Sequence, residues 1–445
     1  MTLIVGLGNT GLSVARFLAR RGERFAVADS RVNPPGLEQL RAERPGVEIH
    51  LGPFDTALFN RHTRIIVSPG VSLQEPALTA AGAAGVEIIG DVELFARSVD
   101  APVVGITGSN GKSTVTTLVG AMAMASGLET RVGGNLGTPA LELLLESDDA
   151  GAPDLYVLEL SSFQLETVAS LNCHAATVLN VSADHLDRHG DMEAYAALKQ
   201  RIFYGDGVMV LNADDARVAM MAEAGRDVRW FTLDVPVGAD AYGLRWIDGR
   251  TCLCRGNDDI VGVDVLKIAG RHNWANALAA LALGDAMNLP RAAMLRALRD
   301  FSGLPHRCQW VAEINGVHWY DDSKGTNVGS TQAALSGMPG DKVVLIVGGD
   351  SKGQDFEPLR DAVATHARAV VLIGRDASLI EQAIAGTVPI VHAGRSMELA
   401  VSECARLAQP GDCVLLSPAC ASFDMFDNYV HRAEVFVAAV RGLMA

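Results

Sequence analysis

The sequence predicts an α/β protein of three domains, each built on a mostly parallel sheet flanked by helices. Three observations lead there. The chain has 445 residues, too many for one core when a domain takes about 150. Short apolar strands alternate with helical stripes along its length, the pattern of repeated strand–helix–strand units. Finally, 49% of the residues are hydrophobic and 45 are glycine, which suits such units and the tight turns between them. Residues 1–91, 92–303 and 304–445 are the expected domains. The last joint falls at Phe301-Ser302-Gly303-Leu304-Pro305, a Gly/Pro break after a helix and a candidate hinge near Gly303.

The first domain opens with a buried strand, Leu3 to Val5, then Gly6-Leu7-Gly8-Asn9-Thr10-Gly11 and a helix to about Arg20. Asp29 closes the next strand, Phe25 to Ala28. Alone, this G-x-G-x-x-G spells a dinucleotide fold with Asp29 on a ribose hydroxyl, and an NAD(P)-dependent oxidoreductase is the rival reading it supports. A second nucleotide loop begins near residue 105, which leaves too little chain for a full two-half dinucleotide domain. Residues 1–91 therefore read as a nucleotide-diphosphate anchor without a redox role, the helix N-terminus facing the anion. The strand Arg64 to Val67 ends in Ser68-Pro69-Gly70 on the same sheet edge, where ligands of open parallel sheets bind.

The second domain carries the strongest motif. The stretch Pro102-Val103-Val104-Gly105-Ile106-Thr107-Gly108-Ser109-Asn110-Gly111-Lys112-Ser113-Thr114 reads as an apolar strand, a glycine-bearing turn and a helix opening on Lys-Ser-Thr. Val115, Leu118, Val119, Met122 and Ala123 give that helix its apolar stripe. A tight turn here aims backbone N–H groups at a phosphate, Lys112 reaches the outer phosphates, and Ser113 or Thr114 offers Mg²⁺ a hydroxyl. A strict phosphate loop has Gly five residues before Gly111, where this chain has Ile106. The loop is expected to bind ATP or GTP. Downstream, the strand Leu155 to Glu159 ends in a carboxylate suited to the nucleotide's metal ion. The strand Ala176 to Val181 leads into a turn holding Asp184, His185, Asp187, Arg188 and His189. In the helix expected over Met192 to Tyr204, Lys199 falls inside the apolar stripe of Tyr195, Leu198 and Ile202. A buried ammonium must be paired, snorkel outward or be chemically altered, and the sequence leaves these open.

The third domain repeats the alternation, with strands near Val343–Val347, Val370–Ile373, Ile390–His392 and Val414–Leu416. The formal net charge of −15 argues against nucleic-acid or anionic-membrane partners. Seven scattered cysteines, with Cys252 and Cys254 lacking a second pair, argue against a zinc site. Met1 to Gly6 reads as a structural strand and not a signal peptide. No apolar run reaches the roughly 18 residues of a membrane span. A reduced cytoplasm is the expected place, and a monomer the expected state.

Several motifs in one order resemble the Mur ligases, ATP-dependent amide-forming enzymes of peptidoglycan synthesis. They are Gly108 to Ser113, Leu158-Glu159-Leu160-Ser161-Ser162-Phe163-Gln164-Leu165-Glu166, Gly303-Leu304-Pro305-His306-Arg307, Asp322-Ser323-Lys324-Gly325-Thr326-Asn327 and Ser417-Pro418-Ala419-Cys420-Ala421-Ser422. The resemblance covers essentially the whole chain. It implies Rossmann-like N- and C-terminal domains around a central P-loop ATPase-like domain. ATP would lie on Gly108, Asn110, Gly111, Lys112, Ser113 and Thr114, with Asn273, Arg307 and Asp322 at its adenine and ribose. Ser113 and Glu159 would hold one Mg²⁺, and His185 with Lys199, as an N-carboxylysine, a second. Lys112, Glu159, His185 and Lys199 would be the catalytic group. Thr10, Ser30, Arg31, Gly70 and Asn135 resemble UDP-substrate contacts, and Lys324, Thr326, Lys352, Ser422, Phe423 and Tyr429 an amino-acid site. Gly325, Phe423 and Tyr429 replace the family's usual Ala, Leu and Phe.

The implied activity joins D-glutamate to UDP-N-acetylmuramoyl-L-alanine through an acyl phosphate, driven by ATP. Related readings are a ligase for another amino acid, including L-glutamate, or a folylpolyglutamate synthetase. A phosphate-loop switch protein would need no altered Lys199.

Overall fold

The computed structural model describes residues 1–268 and 270–444. Three sheets follow one another along the chain. The first has five parallel strands in the spatial order Glu48–Leu51, Phe25–Asp29, Thr2–Val5, Arg64–Val67 and Glu87–Gly90. The second has nine, in the order Asp258–Gly262, Arg250–Arg255, Ala241–Ile247, Val228–Phe231, Val208–Asn212, Ala175–Val178, Val103–Thr107, Leu155–Glu159 and Thr130–Gly134. Its last seven strands are mutually parallel, and the first two extend it as an antiparallel meander. The third sheet runs Gln309–Ile314, Val317–Asp321, Cys413–Leu416, Val343–Gly348, Ala367–Ile373 and Ile390–Gly394, antiparallel only in its first pair.

The central strands are buried on both faces, which is why they read as continuous apolar runs. Val104 and Ile106 point into a core shared with the helices Lys112–Ala125, Arg271–Ala286 and Arg291–Asp300. Val103, Tyr156 and Leu158 point the other way, into a core that continues through Phe95 and Leu141 to Phe17 and Ile4 of the first domain. The third domain has its own cores on the two faces of its sheet. The phosphate loop, Glu159 and the turn after Val178 all leave the central sheet at its C-terminal edge, where open parallel sheets bind ligands.

Three expectations need adjustment. The strand expected over Ala176 to Val181 is Ala175–Val178, and beyond it Asn180 bonds the phosphate loop instead. The helix expected to run to Tyr204 is α-helical over Met192–Gln200 and tightens to a 3₁₀ turn over Arg201–Phe203, where Arg201 reaches across to the Glu166 and Val168 carbonyls. The meander over residues 241–262 was not anticipated. It holds Cys252 and Cys254 two residues apart, both buried, in the strand Arg250–Arg255. No helix among the described residues is long and apolar enough to cross a membrane.

Candidate active site

A left-handed glycine and a neighbouring asparagine shape the phosphate loop. Gly111 has φ +84°, and a Cβ there would meet Asn276 Oδ1 at 2.4 Å, so glycine is required. It starts the helix Lys112–Ala125 without a side-chain cap, which leaves the first N–H groups for an anion. Asn180 holds the loop from the neighbouring strand end: its Oδ1 accepts from Asn110 N (2.8 Å), its Nδ2 donates to Asn110 O (3.1 Å), and its carbonyl accepts from Ser109 N (2.9 Å). Sequence reasoning passed over Asn180, although an Asn ending the strand beside the phosphate-loop strand was a signal.

Two ammonium groups converge on one carbonyl. Lys112 donates to Gly108 O (2.7 Å) and Ser109 O (2.8 Å), and Lys199 donates to Gly108 O (2.9 Å). Lys199 is 1% exposed and lies 4.4 Å over the Tyr195 ring. It does not snorkel. Burial, then the Lys112 charge, push its pKa well below the usual lysine value. Burial lowers Lys112 too, with Glu159 acting against it.

Glu159 is 3% exposed. Its Oε1 accepts from Asn135 Nδ2 at 2.6 Å, while Oε2 is buried without a hydrogen-bond partner. Gly134 lets the chain pass this close: a Cβ there would stand 2.4 Å from Glu159 O. A buried, unpaired carboxylate oxygen beside a phosphate loop fits a divalent cation. Among the described residues, no three His, Cys, Asp or Glu side chains gather to hold a metal alone, so phosphate oxygens and the Ser113 hydroxyl would complete the shell. His185 has φ +54°, its Nε2 lies 3.7 Å from Asp184 Oδ2, and its ring stands 4.9 Å from that of Phe163.

A cleft of about 550 Å³ opens from this loop between the second and third domains, lined by Asn110, Gly111, Thr114, Asn273, Arg307 and Asp322 among others. Arg307 Nη2 donates to Ser113 Oγ at 2.9 Å, closing the cleft's inner end. Asp322 is raised to about 7 by burial, with Ser417 donating to it at 2.7 Å. A second cleft, of about 820 Å³, lies between the first and second domains and gathers Thr10, Ser30, Arg31, Gly70 and Asn135. Asp29, the residue on which an oxidoreductase reading depends, is committed elsewhere. It accepts from Leu7 N (2.7 Å) and from the Arg31 guanidinium (2.7 and 2.8 Å). Burial would raise its carboxyl, yet these bonds hold it below the usual range.

The residues expected to hold an amino acid are partly assembled. Lys324 Nζ lies 3.8 Å from the Tyr429 ring centre, and burial followed by the Arg307 charge brings its pKa to about 8. Lys352 Nζ is 3.6 Å from Asp184 Oδ1. Ser422 is buried and Thr326 half-buried. Phe423 stands apart from them, 74% exposed. Missed from the sequence are Asp184 and Asn327 as bridges. Asn327 Nδ2 donates to Asp184 Oδ2 (3.1 Å) and Asn110 Oδ1 (3.2 Å), tying the third domain to the phosphate loop.

Comparison with known proteins places the chain in one family. Residues 1–90 match the model of the Mur ligase MurD-like N-terminal domain, 106–284 the Mur ligase middle domain, and 306–420 the Mur ligase glutamate ligase domain. The UDP-N-acetylmuramoylalanine–D-glutamate ligase of Nitrosococcus oceani is 55% identical over 445 residues, covering 100% of this chain and 97% of the relative. That of Methylobacillus flagellatus is 56% identical over 443 residues, covering 99% and 96%. The fold is similar to that of UDP-N-acetylmuramate-alanine ligase MurC from Thermotoga maritima (TM-score 0.59, 17% identity, 99% of each chain). It is also similar to MurF from Acinetobacter baumannii (TM-score 0.61, 16% identity, 99% and 90%).

Proposed function

The chain belongs to the Mur ligase family, and from that premise we propose that it joins D-glutamate to UDP-N-acetylmuramoylalanine at the expense of ATP, in peptidoglycan precursor synthesis. One observation carries the reading from geometry. Asn135 lines the cleft of the first domain and holds Glu159, so that cleft ends where the phosphate loop begins. A substrate anchored by its UDP moiety would bring its far end, the alanine carboxylate, to the γ-phosphoryl of ATP.

A carboxylate is a poor electrophile, so the reaction first transfers the γ-phosphoryl to it, giving an acyl phosphate and ADP. Lys112 supplies positive charge between two anions, exchanging its carbonyl partners for phosphate oxygens. The neutral glutamate amine then attacks the acyl carbon, and phosphate leaves as the amide forms. Arg307 and Asn327 close the third domain over the loop, which excludes the water that would hydrolyse the acyl phosphate. Lys324, Lys352 and Ser422 would hold the glutamate carboxylates. Two Mg²⁺ ions, one on Ser113 and Glu159 and one on His185 and Lys199, would supply charge neutralisation when bound.

Lys199 suits carboxylation because only a neutral amine reacts with CO₂, losing one proton as the carbamate forms. Burial and the Lys112 charge favour that neutral form. The product is an oxygen ligand that a hard cation accepts. ATP supply agrees with a cytoplasmic place for the enzyme, and the two clefts described lie within one chain, in keeping with a monomer.

ADP release measured against a panel of UDP-muramoyl precursors and amino acids tests the activity. Turnover should require UDP-N-acetylmuramoylalanine and D-glutamate together; equal release without the amino acid, or with any amino acid, defeats the proposal. For Lys199, the alanine variant should be nearly inactive and partly restored by a small carboxylate. Full activity of Lys199→Arg would refute the carbamate.

A further inference from the structure

The turn that carries His185 is fastened to the first domain by a single guanidinium. His185 leads into a one-turn helix, Leu186–His189. From it, Arg188 Nη2 donates to the carbonyl of Val71 (3.0 Å) and to Glu166 Oε2 (2.8 Å). The Arg188 and Glu166 side chains are 19% and 11% exposed, so solvent screens the pair little. The guanidinium also lies 5.2 Å from the Phe163 ring, which itself packs on His185. Next to it, His189 Nε2 is 3.0 Å from Ser162 Oγ and Nδ1 is 3.5 Å from Glu166 Oε1, with its ring stacked on Tyr195. The turn's second-domain side is thus held by Ser162, Phe163, Glu166 and Tyr195.

The other end of the Arg188 bond is no ordinary surface carbonyl. Val71 lines the 820 Å³ cleft beside Gly70. Its N–H closes the turn onto Ser68 O (3.0 Å), and Ser68 Oγ donates to Gly6 O (3.0 Å) of the G-x-G-x-x-G loop. Arg188 therefore joins the turn on which the UDP substrate would rest to the turn that aims His185. Among the described residues, the ion pairs across this junction, Arg16 with Glu142, Arg20 with Asp149 and Arg97 with Glu87, touch neither turn.

We propose that Arg188 is a positioning residue: it couples occupancy of the UDP cleft to the placement of His185, so that the reacting end is organised when the anchoring end is filled. The proposal rests on the ligase reading above. A displaced Ser68–Val71 turn would move the guanidinium, and with it the helix turn behind His185. An unfilled or loosened anchor would leave His185 less well placed for the acyl phosphate.

The test is steady-state ADP release by the full chain, comparing Arg188→Gln and Arg188→Lys with Arg20→Gln as a control. Arg188→Gln should raise the KM for UDP-N-acetylmuramoylalanine about tenfold, the lower end of what a charge-assisted hydrogen bond supplies. It should also lower kcat while leaving the KM for ATP within about twofold. Arg188→Lys keeps the charge, but its ammonium ends one bond short of the Nη2 that makes both contacts, so it should fall between. Arg20→Gln should match wild type. Unchanged KM values in Arg188→Gln, with only less active enzyme, would mean a structural brace and overturn the coupling. Should that variant fail to fold, a wild-type KM in Arg188→Lys overturns it equally. Silent wild-type enzyme would defeat the ligase reading and the coupling with it, whereas active wild type with unaltered variants defeats the coupling alone.

Discussion

The two domain junctions of this chain are made of different materials. Between the first and second domains one apolar core runs without interruption, with Phe95 edge-on to Tyr156 at 5.3 Å. Glu93 reinforces it from the connecting helix, accepting from Ala169 N (2.7 Å) and Ser170 N (2.9 Å). Between the second and third domains the helices Arg271–Ala286 and Val328–Gly337 touch, and the polar contacts include Arg307 to Ser113, Asn327 to Asn110 and Asp184, and a loose ion pair of Lys352 with Asp184. The third domain's cores contain no residue of the other two. An apolar seam resists sliding because any displacement opens voids. Polar contacts can exchange partners with water or substrate at little cost. The first junction is therefore built as a fixed platform and the second as one that opens and closes around ligands, with the chain crossing it near Gly303 (φ +88°).

The largest expected effect falls at the second junction. Lys112→Ala should reduce ADP release by about a thousandfold or more, the loss of a cation clamping transferred phosphate, while the melting temperature hardly moves. Near-normal turnover in a folded variant would break the comparison at its functional end. At the first junction the effect should be on stability. Phe95→Ala should cost about 3–5 kcal/mol in denaturant unfolding, and the first two domains should lose structure in one transition. Separate transitions would show that the seam is not shared. Lys352→Ala should leave unfolding unchanged and raise the KM for glutamate by about tenfold to a hundredfold, that for ATP much less. A parallel rise in both would place Lys352 outside the amino-acid site.

The smallest effect concerns pH. Lys324 has a pKa of about 8 in the fold, so its charge fades as pH rises through that value. The KM for glutamate should climb by no more than about tenfold between pH 7 and 9, and Lys324→Arg should flatten the rise. Stability should move oppositely. The unfolded chain keeps this proton up to about pH 10.4, so between the two values the unfolded state binds more protons and the fold gains stability. Stability falling over that window would refute the assignment.

How much of this was legible in the sequence follows the same division. The phosphate loop, Glu159 at its strand end and the misfit of Lys199 were readable because each lies within one strand–turn–helix segment of fixed spacing. The five residues of the UDP cleft came from family resemblance. The bridges made by Asp184, Asn180 and Asn327 were not legible, since their partners are 70 to 217 residues away and no local period encodes a docking. Phe423 shows the converse failure. Its neighbour Ser422 is buried while the ring points to solvent, so motif position alone did not fix which side chain faces the cleft. The meander was missed because residues 241–262 mix charged and apolar positions irregularly, and a bulge between Leu253 and Cys254 disturbs the alternation.

That meander has a bearing on colloidal behaviour. A wide parallel sheet ends in a row of unpaired N–H and C=O groups, and an apolar outer strand would invite other chains to add themselves to it. Here the outermost strand, Asp258–Gly262, begins with two adjacent exposed aspartates, and the bulge twists its neighbour. Self-association through that edge would force like carboxylates of two copies together. That edge of the nine-stranded sheet is thereby a poor template for a further strand.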